Sequence, residues 1–195
     1  LIIAVTGLKR SGKNTVSSYI SEKYGFKEYA FAQPIKDVCG YLFNWTPERI
    51  ENEKEVIDPT WGISPRQILQ WMGTEAFQYS LPAFSKGFLE TVGRNFWVKK
   101  FEQVYLKEKG NFIISDFRFY HEQEALRKYN AVTIKVIRNS VQGNDLHESE
   151  RYIRDMECMY SIMNNGTKED LYKEVDKIME ELEVPILSEN LGDCP

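Results

Sequence analysis

Residues 7–15 read GLKRSGKNT, with glycines at 7 and 12 and a lysine at 13. That spacing satisfies G-x-x-x-x-G-K, the pattern of a loop whose backbone N–H groups cradle phosphate oxygens. The residue types suit the task. A side chain at either glycine would hold the main chain away from a polyphosphate, whereas glycine lets it wrap closely. Successive amides then form a concave nest for anions, and the start of a following helix adds partial positive charge. Lys13 can reach the β- and γ-phosphates of a nucleoside triphosphate. Gly7, Lys9, Arg10, Ser11, Gly12, Lys13, Asn14 and Thr15 are the expected ligand-binding set on this loop. Lys9 and Arg10 are additional cations at its rim, suited to offset the charge of two bound nucleotides or simply solvated. The alternative is a glycine-rich turn with a solvated lysine, and context separates the two, because the phosphate loop needs a strand before it and a helix after it. Asn14 stands where Ser or Thr ordinarily ligates Mg²⁺, and the hydroxyl comes one residue later, at Thr15. Metal ligation is expected at Asn14, Thr15 and Asp116, directly or through water.

Asp116 closes the apolar run FIISD, where a carboxylate can orient Mg²⁺ or its waters beside phosphates or serve as a helix cap. Arg118 follows and can clamp a phosphate or form a surface ion pair; Phe117 and Phe119 flank it as stacking wall or as core. Arg66, Gln70 and Thr74 recur every four residues, on one stripe of a helix whose apolar stripe is Ile68, Met72, Ala76 and Tyr79. An arginine and an amide on one stripe suit a substrate phosphate and a base edge, or a solvated face. Arg138, Arg151 and Arg154 bracket a polar stretch, 139–157, that reads as a lid closing arginines on a transferring phosphoryl group. It reads equally as a surface helix with a Glu150–Arg154 pair. His147, one of two histidines, has no companions that would make a zinc site, and no Ser/His/Asp or Cys/His arrangement emerges. Phosphoryl transfer needs none, since positioning and charge stabilisation supply most of the acceleration.

These groups require a scaffold. The apolar run LIIAVT reads as a buried strand, and Val16, Tyr19, Ile20 and Tyr24 continue at helical spacing up to Gly25. Residues 26–32 alternate as a strand, Pro34 can open a helix, and SPRQ at 64–67 carries a capping box. A helix over 95–110, a strand over 111–117 ending at Asp116–Phe117, a helix from Tyr120, and strands over 131–138 and 159–165 follow. The last helix has Thr167 and Asp170 as a capping pair and Leu171, Val175, Ile178 and Leu182 inside. Continuously apolar strands alternating with helices indicate an α/β fold with a parallel sheet covered on both faces. The 195 residues suit one domain, 1–195, with the 42% apolar content needed for a core. A net charge of −4 gives no sign of nucleic-acid binding. Cys39, Cys158 and Cys194 are too scattered for a disulfide framework, which favours a reducing, cytoplasmic setting. The first apolar run is too short for a signal peptide or a membrane span, and the tail 188–195 is expected to be peripheral.

GLKRSGKNT, YAFAQPIK, SPRQILQWMGTE, NFWV, IISDFRFYHEQEAL, VIRN…HESE and MNNGTKEDL occur in that order. Together they resemble the deoxynucleoside monophosphate kinase family of bacteriophages, other viruses and bacteria, over nearly the whole chain to about residue 180. GKNT is also similar to the GK-x-T ending of nucleoside monophosphate kinases, where Mg²⁺ is held largely through water. The resemblance implies a three-layer P-loop NTPase fold with five parallel strands ordered 2-3-1-4-5, an acceptor-binding region over about 33–100 and a small lid over about 139–157. It implies transfer of the ATP γ-phosphoryl group to a 5′-deoxynucleoside monophosphate, with ATP and Mg²⁺ as cofactors. Lys13, Asp116, Arg118 and Arg138 would be catalytic; Lys36, Arg66, Gln70 and Arg118 would face the monophosphate; Asn165 and Gly166 would contact the adenine. A plain strand-to-helix turn explains Asn-Gly equally. The family often has Arg three residues after the Glu of GTE, where this chain has Gln78. Small-molecule substrates are the expected partners, with neither nucleic acid nor membrane, and a homodimer stays open. Two alternatives stand beside this reading: another P-loop kinase, such as a dephospho-coenzyme A kinase, and a nucleotide-binding switch without turnover. A GTPase would need N-K-x-D, which NGTKED lacks.

Overall fold

The computed structural model of the chain describes residues 1–140 and 148–187, the side chains of 148–150 excepted. It divides into two compact units, one of residues 1–30 and 104–195 and one of residues 31–103.

The first unit is built on a parallel sheet. Strand β1 (Ile2–Thr6) leads through the glycine loop into helix α1 (Lys13–Tyr24), and β2 (Lys27–Tyr29) follows. In the second unit come α2 (Gln33–Phe43), α3 (Pro47–Asn52), α4 (Pro65–Gln70), a π-helix (Trp71–Ser80), α5 (Leu81–Phe84) and α6 (Lys86–Thr91). Helix α7 (Phe96–Glu108) runs through the boundary at 103/104. The first unit then continues with β3 (Phe112–Ile114), α8 (Tyr120–Arg127), β4 (Val132–Ile137), α9 (Glu148–Asp155), β5 (Tyr160–Met163) and α10 (Lys168–Glu181). The strands lie side by side in the order β2-β3-β1-β4-β5, all parallel.

Register explains why β1 is apolar without interruption. Ile3 pairs with Ile113 and Val132, and Val5 with Ile134. Ile3, Val5, Ile113 and Ile134 pack under Val16 and Ile20 of α1 and Leu171, Val175 and Met179 of α10. The alternate residues face the other side of the pleat, where the end of α7 and the turn after α8 cover Phe112 through Tyr105 and Tyr129. Both faces are thus buried, giving three layers. One polar knot ties α1 to α10: Asp176 accepts hydrogen bonds from Tyr19 (2.9 Å), Lys23 (2.8 Å) and Tyr24 (2.7 Å). Burial opposes ionisation of that carboxyl, but the bonds from Lys23, Tyr24 and Tyr19 hold it below the ordinary aspartate range.

Helix ends follow local chemistry. Ser64 and Gln67 form a capping box with Pro65 at the first helical position, and Thr167 with Asp170 does the same for α10. Strand β3 departs from expectation by ending at Ile114, two residues before Asp116, so that Asp116, Phe117 and Arg118 lie on a loop. The stripe of Ile68, Met72, Ala76 and Tyr79 is also corrected. From Trp71 the chain widens into a π-helix, and the side chains buried there are Thr74 and Gln78, while Tyr79 is exposed. A wider helix breaks the 3.6-residue periodicity on which the expected stripe rests. The widened turn is held by partners: Trp97 Nε1 (2.8 Å) and Gln78 Nε2 (3.0 Å) both donate to the Gly73 carbonyl.

Candidate active site

The glycine loop leaves the C-terminal end of β1, and parallel pairing sets the ends of β3, β4 and β5 along the same edge of the sheet. Ligands of open α/β sheets bind at that edge. Gly7 is buried, with φ 152°; a Cβ there would lie 2.4 Å from the Val136 carbonyl oxygen and 2.5 Å from Ser11 Oγ. Gly12, at φ 105°, caps α1 in the left-handed region and would carry its Cβ 2.3 Å from Asn164 Nδ2. Only glycine therefore allows this path at both positions. The Lys13 ammonium donates to the Leu8 carbonyl at 2.9 Å, folding the lysine back over the loop. Lys9, Arg10 and Asn14 are exposed, and Thr15 is half-buried.

Two observations fit the loop to an anion. The N-terminus of α1 has no side-chain cap and no acidic residue in its first turn, so its leading N–H groups and the dipole are offered outward. In addition, the hydroxyls of Thr6 at the end of β1 and Ser11 on the loop are buried without a hydrogen-bond partner within the protein, as is that of Ser17 in α1. Buried polar atoms are ordinarily satisfied, and such exceptions concentrate where a ligand supplies the missing bond.

Asp116 and Arg118 are half-buried on the loop after β3. Sequence reasoning missed the residue that shapes that loop. Glu122, 4% exposed, accepts from the backbone N–H of Arg118 (2.8 Å) and of Phe119 (3.0 Å). Burial is the chief influence on its carboxyl and raises it from 4.5 to about 7, aided by Asp116 and opposed by the two amides and by Arg118. The only hint in the sequence is a Glu at the third position of an expected helix. Tyr29 is a second omission: burial, and then the charge of Asp116, push its phenol up to about 12.

The sign of the Glu122 effect is testable. The folded state holds the proton more tightly, so the contribution to stability is complete below pH 4.5 and is lost as the pH rises through 7. Comparing wild type with Glu122→Gln by urea unfolding, the difference in unfolding free energy should shift against wild type by a few kcal/mol between pH 5 and pH 8. A pH-independent difference would refute the placement of an ionisable carboxyl here.

Arg138 is exposed just past β4. Asn165 is exposed, and its Oδ1 accepts from the Asn139 N–H (2.9 Å); the neighbouring Asn164 donates from Nδ2 to the Ser11 carbonyl (2.8 Å). Gly166 is exposed, with Asp170 Oδ2 2.7 Å from where a Cβ would stand. Arg151 and Arg154 are exposed on α9. Residues 141–147 of the expected lid, His147 among them, lie outside the described residues, as do the Glu150 side chain and the tail with Cys194. Among the described residues no cluster of three His, Cys, Asp or Glu could hold a metal, and no helix is long and apolar enough to cross a membrane. Cys39 and Cys158 are free thiols.

In the second unit, Lys36 of α2 pairs with Glu51 at the end of α3, and Arg66 of α4 with Glu55 at 3.3 Å. Lys54 also reaches Glu51 (2.8 Å), so burial raises the Glu51 carboxyl but the two lysines win and hold it low. Gln70 is half-buried and Thr74 is buried. Gln78 is 2% exposed and accepts from Arg94 Nη2 at 3.4 Å, so a guanidinium approaches this position from elsewhere in the chain. Beside these lies an apolar cavity of about 410 Å³ walled by Ile35, Met72, Phe77, Phe88, Phe96 and Trp97.

A family described as "Deoxynucleotide monophosphate kinase" matches residues 1–58 and 48–175. A protein of Acanthamoeba polyphaga mimivirus with the provisional name deoxynucleotide monophosphate kinase is 30% identical over 181 residues, covering 90% of this chain and 94% of its own. The deoxynucleotide monophosphate kinase of Escherichia phage RB69 is 24% identical, over 91% of this chain and 99% of its own. Among solved structures, TT1252 from Thermus thermophilus is similar with a TM-score of 0.50 and 16% identity, over 93% of this chain and 97% of that one, a likeness of fold alone.

Proposed function

This chain belongs to the deoxynucleotide monophosphate kinase family, and from that premise we propose that it transfers the γ-phosphoryl group of ATP to the 5′-phosphate of a deoxynucleoside monophosphate, giving the diphosphate and ADP. The observation that carries the reading of its donor side is the uncapped start of α1 behind a loop that tolerates only glycine at 7 and 12, with the Thr6 and Ser11 hydroxyls buried and unpartnered beside it. Amides of residues 7–15 grip the triphosphate there, and Lys13 neutralises its terminal charge.

The nucleophile is a phosphate oxygen of the acceptor. The second pKa of such a phosphate is about 6, so the oxygen is anionic at neutral pH and needs no general base. The new O–P bond forms to the γ-phosphorus as the bond to the β-phosphate oxygen breaks, and ADP leaves with that electron pair. What the protein supplies is charge compensation and alignment. In this reading Arg118 and Arg138 offset charge on the moving phosphoryl group. Lys36, Arg66, Gln70 and Arg118 hold the acceptor phosphate, and Asn165 and Gly166 face the adenine. The Thr15 hydroxyl, the Asn14 amide oxygen and the Asp116 carboxylate are hard oxygen donors of the type Mg²⁺ takes, and would hold it directly or through its waters. When bound, the ion would supply further neutralisation of the phosphate oxygens. The reaction is assigned to the cytoplasm, of a host cell if the chain is viral, with ATP and a deoxynucleoside monophosphate as its small-molecule partners.

A coupled ADP-release assay with ATP, Mg²⁺, each of the four deoxynucleoside monophosphates, their ribose counterparts and dephospho-coenzyme A tests this. Turnover with at least one deoxynucleoside monophosphate, and none with dephospho-coenzyme A, is the expected result. Release only with dephospho-coenzyme A, or tight ATP binding without ADP release on any acceptor, would sink it.

A further inference from the structure

We propose that Asn164 is a positioning residue that aims the phosphate loop, setting the direction of the Gly12 N–H; the inference deepens the ATP-binding reading of that loop and rests on it. Asn164 follows the last residue of β5, Met163, and its own backbone N–H is fixed on the Ile137 carbonyl at 2.7 Å, the next rung of the parallel ladder. Its side chain reaches to a segment 153 positions away in sequence, where Nδ2 donates to the Ser11 carbonyl at 2.8 Å. A carbonyl can only accept, so the amide's NH₂ end faces the loop.

The consequence follows from peptide geometry. Among the described residues no peptide bond is cis, and in a planar trans peptide the C=O and the following N–H point in opposite directions. Holding the Ser11 oxygen toward Asn164 therefore turns the Gly12 N–H away from Asn164, to the concave side on which phosphate oxygens are gripped. The neighbouring groups have their own bonds, Ser11 N–H on the Leu8 carbonyl and Val16 N–H on the Gly12 carbonyl, each at 3.1 Å, but neither fixes the plane between them, and the backbone freedom of Gly12 lets that plane tilt once Asn164 lets go. A tilted plane turns the Gly12 N–H off the anion. The closeness of the fit is visible at Gly12, where a Cβ would stand 2.3 Å from Asn164 Nδ2. Asn164 also adjoins Asn165 and Gly166, the pair read as facing the adenine. One turn of chain thus carries both the base contact and the brace of the phosphate loop, through two adjacent side chains with different jobs.

A brace and a base contact are separable by dissecting the ligand. Binding of inorganic tripolyphosphate and of adenosine to the full chain is measured by calorimetry, for wild type and for Asn164→Ala and Asn164→Leu; the latter keeps the branching of asparagine, removes the donor and adds no charge. For both variants tripolyphosphate should bind about tenfold more weakly, the loss of about one well-directed amide to an anion. Adenosine affinity should be unchanged, and the unfolding midpoint of the leucine variant should stay within a few degrees of wild type. Unchanged tripolyphosphate affinity, or adenosine weakened as much as tripolyphosphate, would overturn the proposal while leaving the kinase reading intact. A wild-type protein that binds neither tripolyphosphate nor ATP would instead bring down the reading of the loop itself, and this inference with it.

Discussion

Lys13→Ala is expected to lower kcat by about 10³-fold or more, with the thermal unfolding midpoint within a few degrees of wild type. The two halves of that expectation have separate grounds. Lys13 is half-buried at the mouth of the loop, and its ammonium donates to the Leu8 carbonyl, 2.9 Å away. That bond is local, spanning five positions of a half-buried turn, and its loss is expected to cost about 1.5 kcal/mol of folding free energy. The reaction, by contrast, gathers the charges of a triphosphate and a monophosphate, and a cation fixed at the transferring group acts on the transition state in a water-poor setting. Single-turnover kinetics on the purified variant, with a melting curve on the same sample, checks both halves. A variant that turns over at the wild-type rate would remove Lys13 from the mechanism.

Gly7→Ala should behave in the opposite way, damaging the fold first. The new methyl group meets the Val136 carbonyl at 2.4 Å, and that oxygen belongs to the backbone of β4, an interior strand of the sheet. It also adds a side chain at φ 152°, a region that L-residues avoid. Together these are expected to cost about 4 kcal/mol, which for a chain of this size lowers the unfolding midpoint by about 12 °C. Gly12→Ala supplies an internal control. It carries the same backbone strain, at φ 105°, but its Cβ meets the Asn164 side-chain amide at 2.3 Å, a group that can swing aside where the Val136 backbone cannot, so stability should fall by less while tripolyphosphate binding suffers. Equal melting points for the three proteins would show that the β1–loop junction is not as closely packed as the structure has it.

The origin of each feature separates cleanly. The β1–loop–α1 unit was readable because every signal lies within about 25 consecutive residues: an apolar run, two glycines, then Val16, Ile20 and Tyr24 at helical spacing. The capping boxes at Ser64 and Thr167 were readable for the same reason, a reach of three residues. The strand order was not in the periodicity at all; it came with the family resemblance carried by motifs such as SDFRF and GTE, and the structure has the same order. The π-helix escaped in part because one of the two donors to its Gly73 carbonyl is Trp97, 24 positions away. A widened turn leaves no mark in a pattern that is read at a fixed 3.6 residues per turn.

Local order could name the chemistry. Glycine, lysine and a following helix write a phosphate loop into nine residues, because the bonds that shape it are short-range. Aim and protonation belong to the folded molecule. Asn164 braces Ser11 across 153 positions. Lys36 and Arg66 stand against Glu51 and Glu55. Glu122 keeps its proton near neutrality because water is excluded around it. Distance in space, exclusion of solvent and the direction of a peptide plane are properties of packing, and a string of residue types carries them only once the sheet has brought its strand ends together.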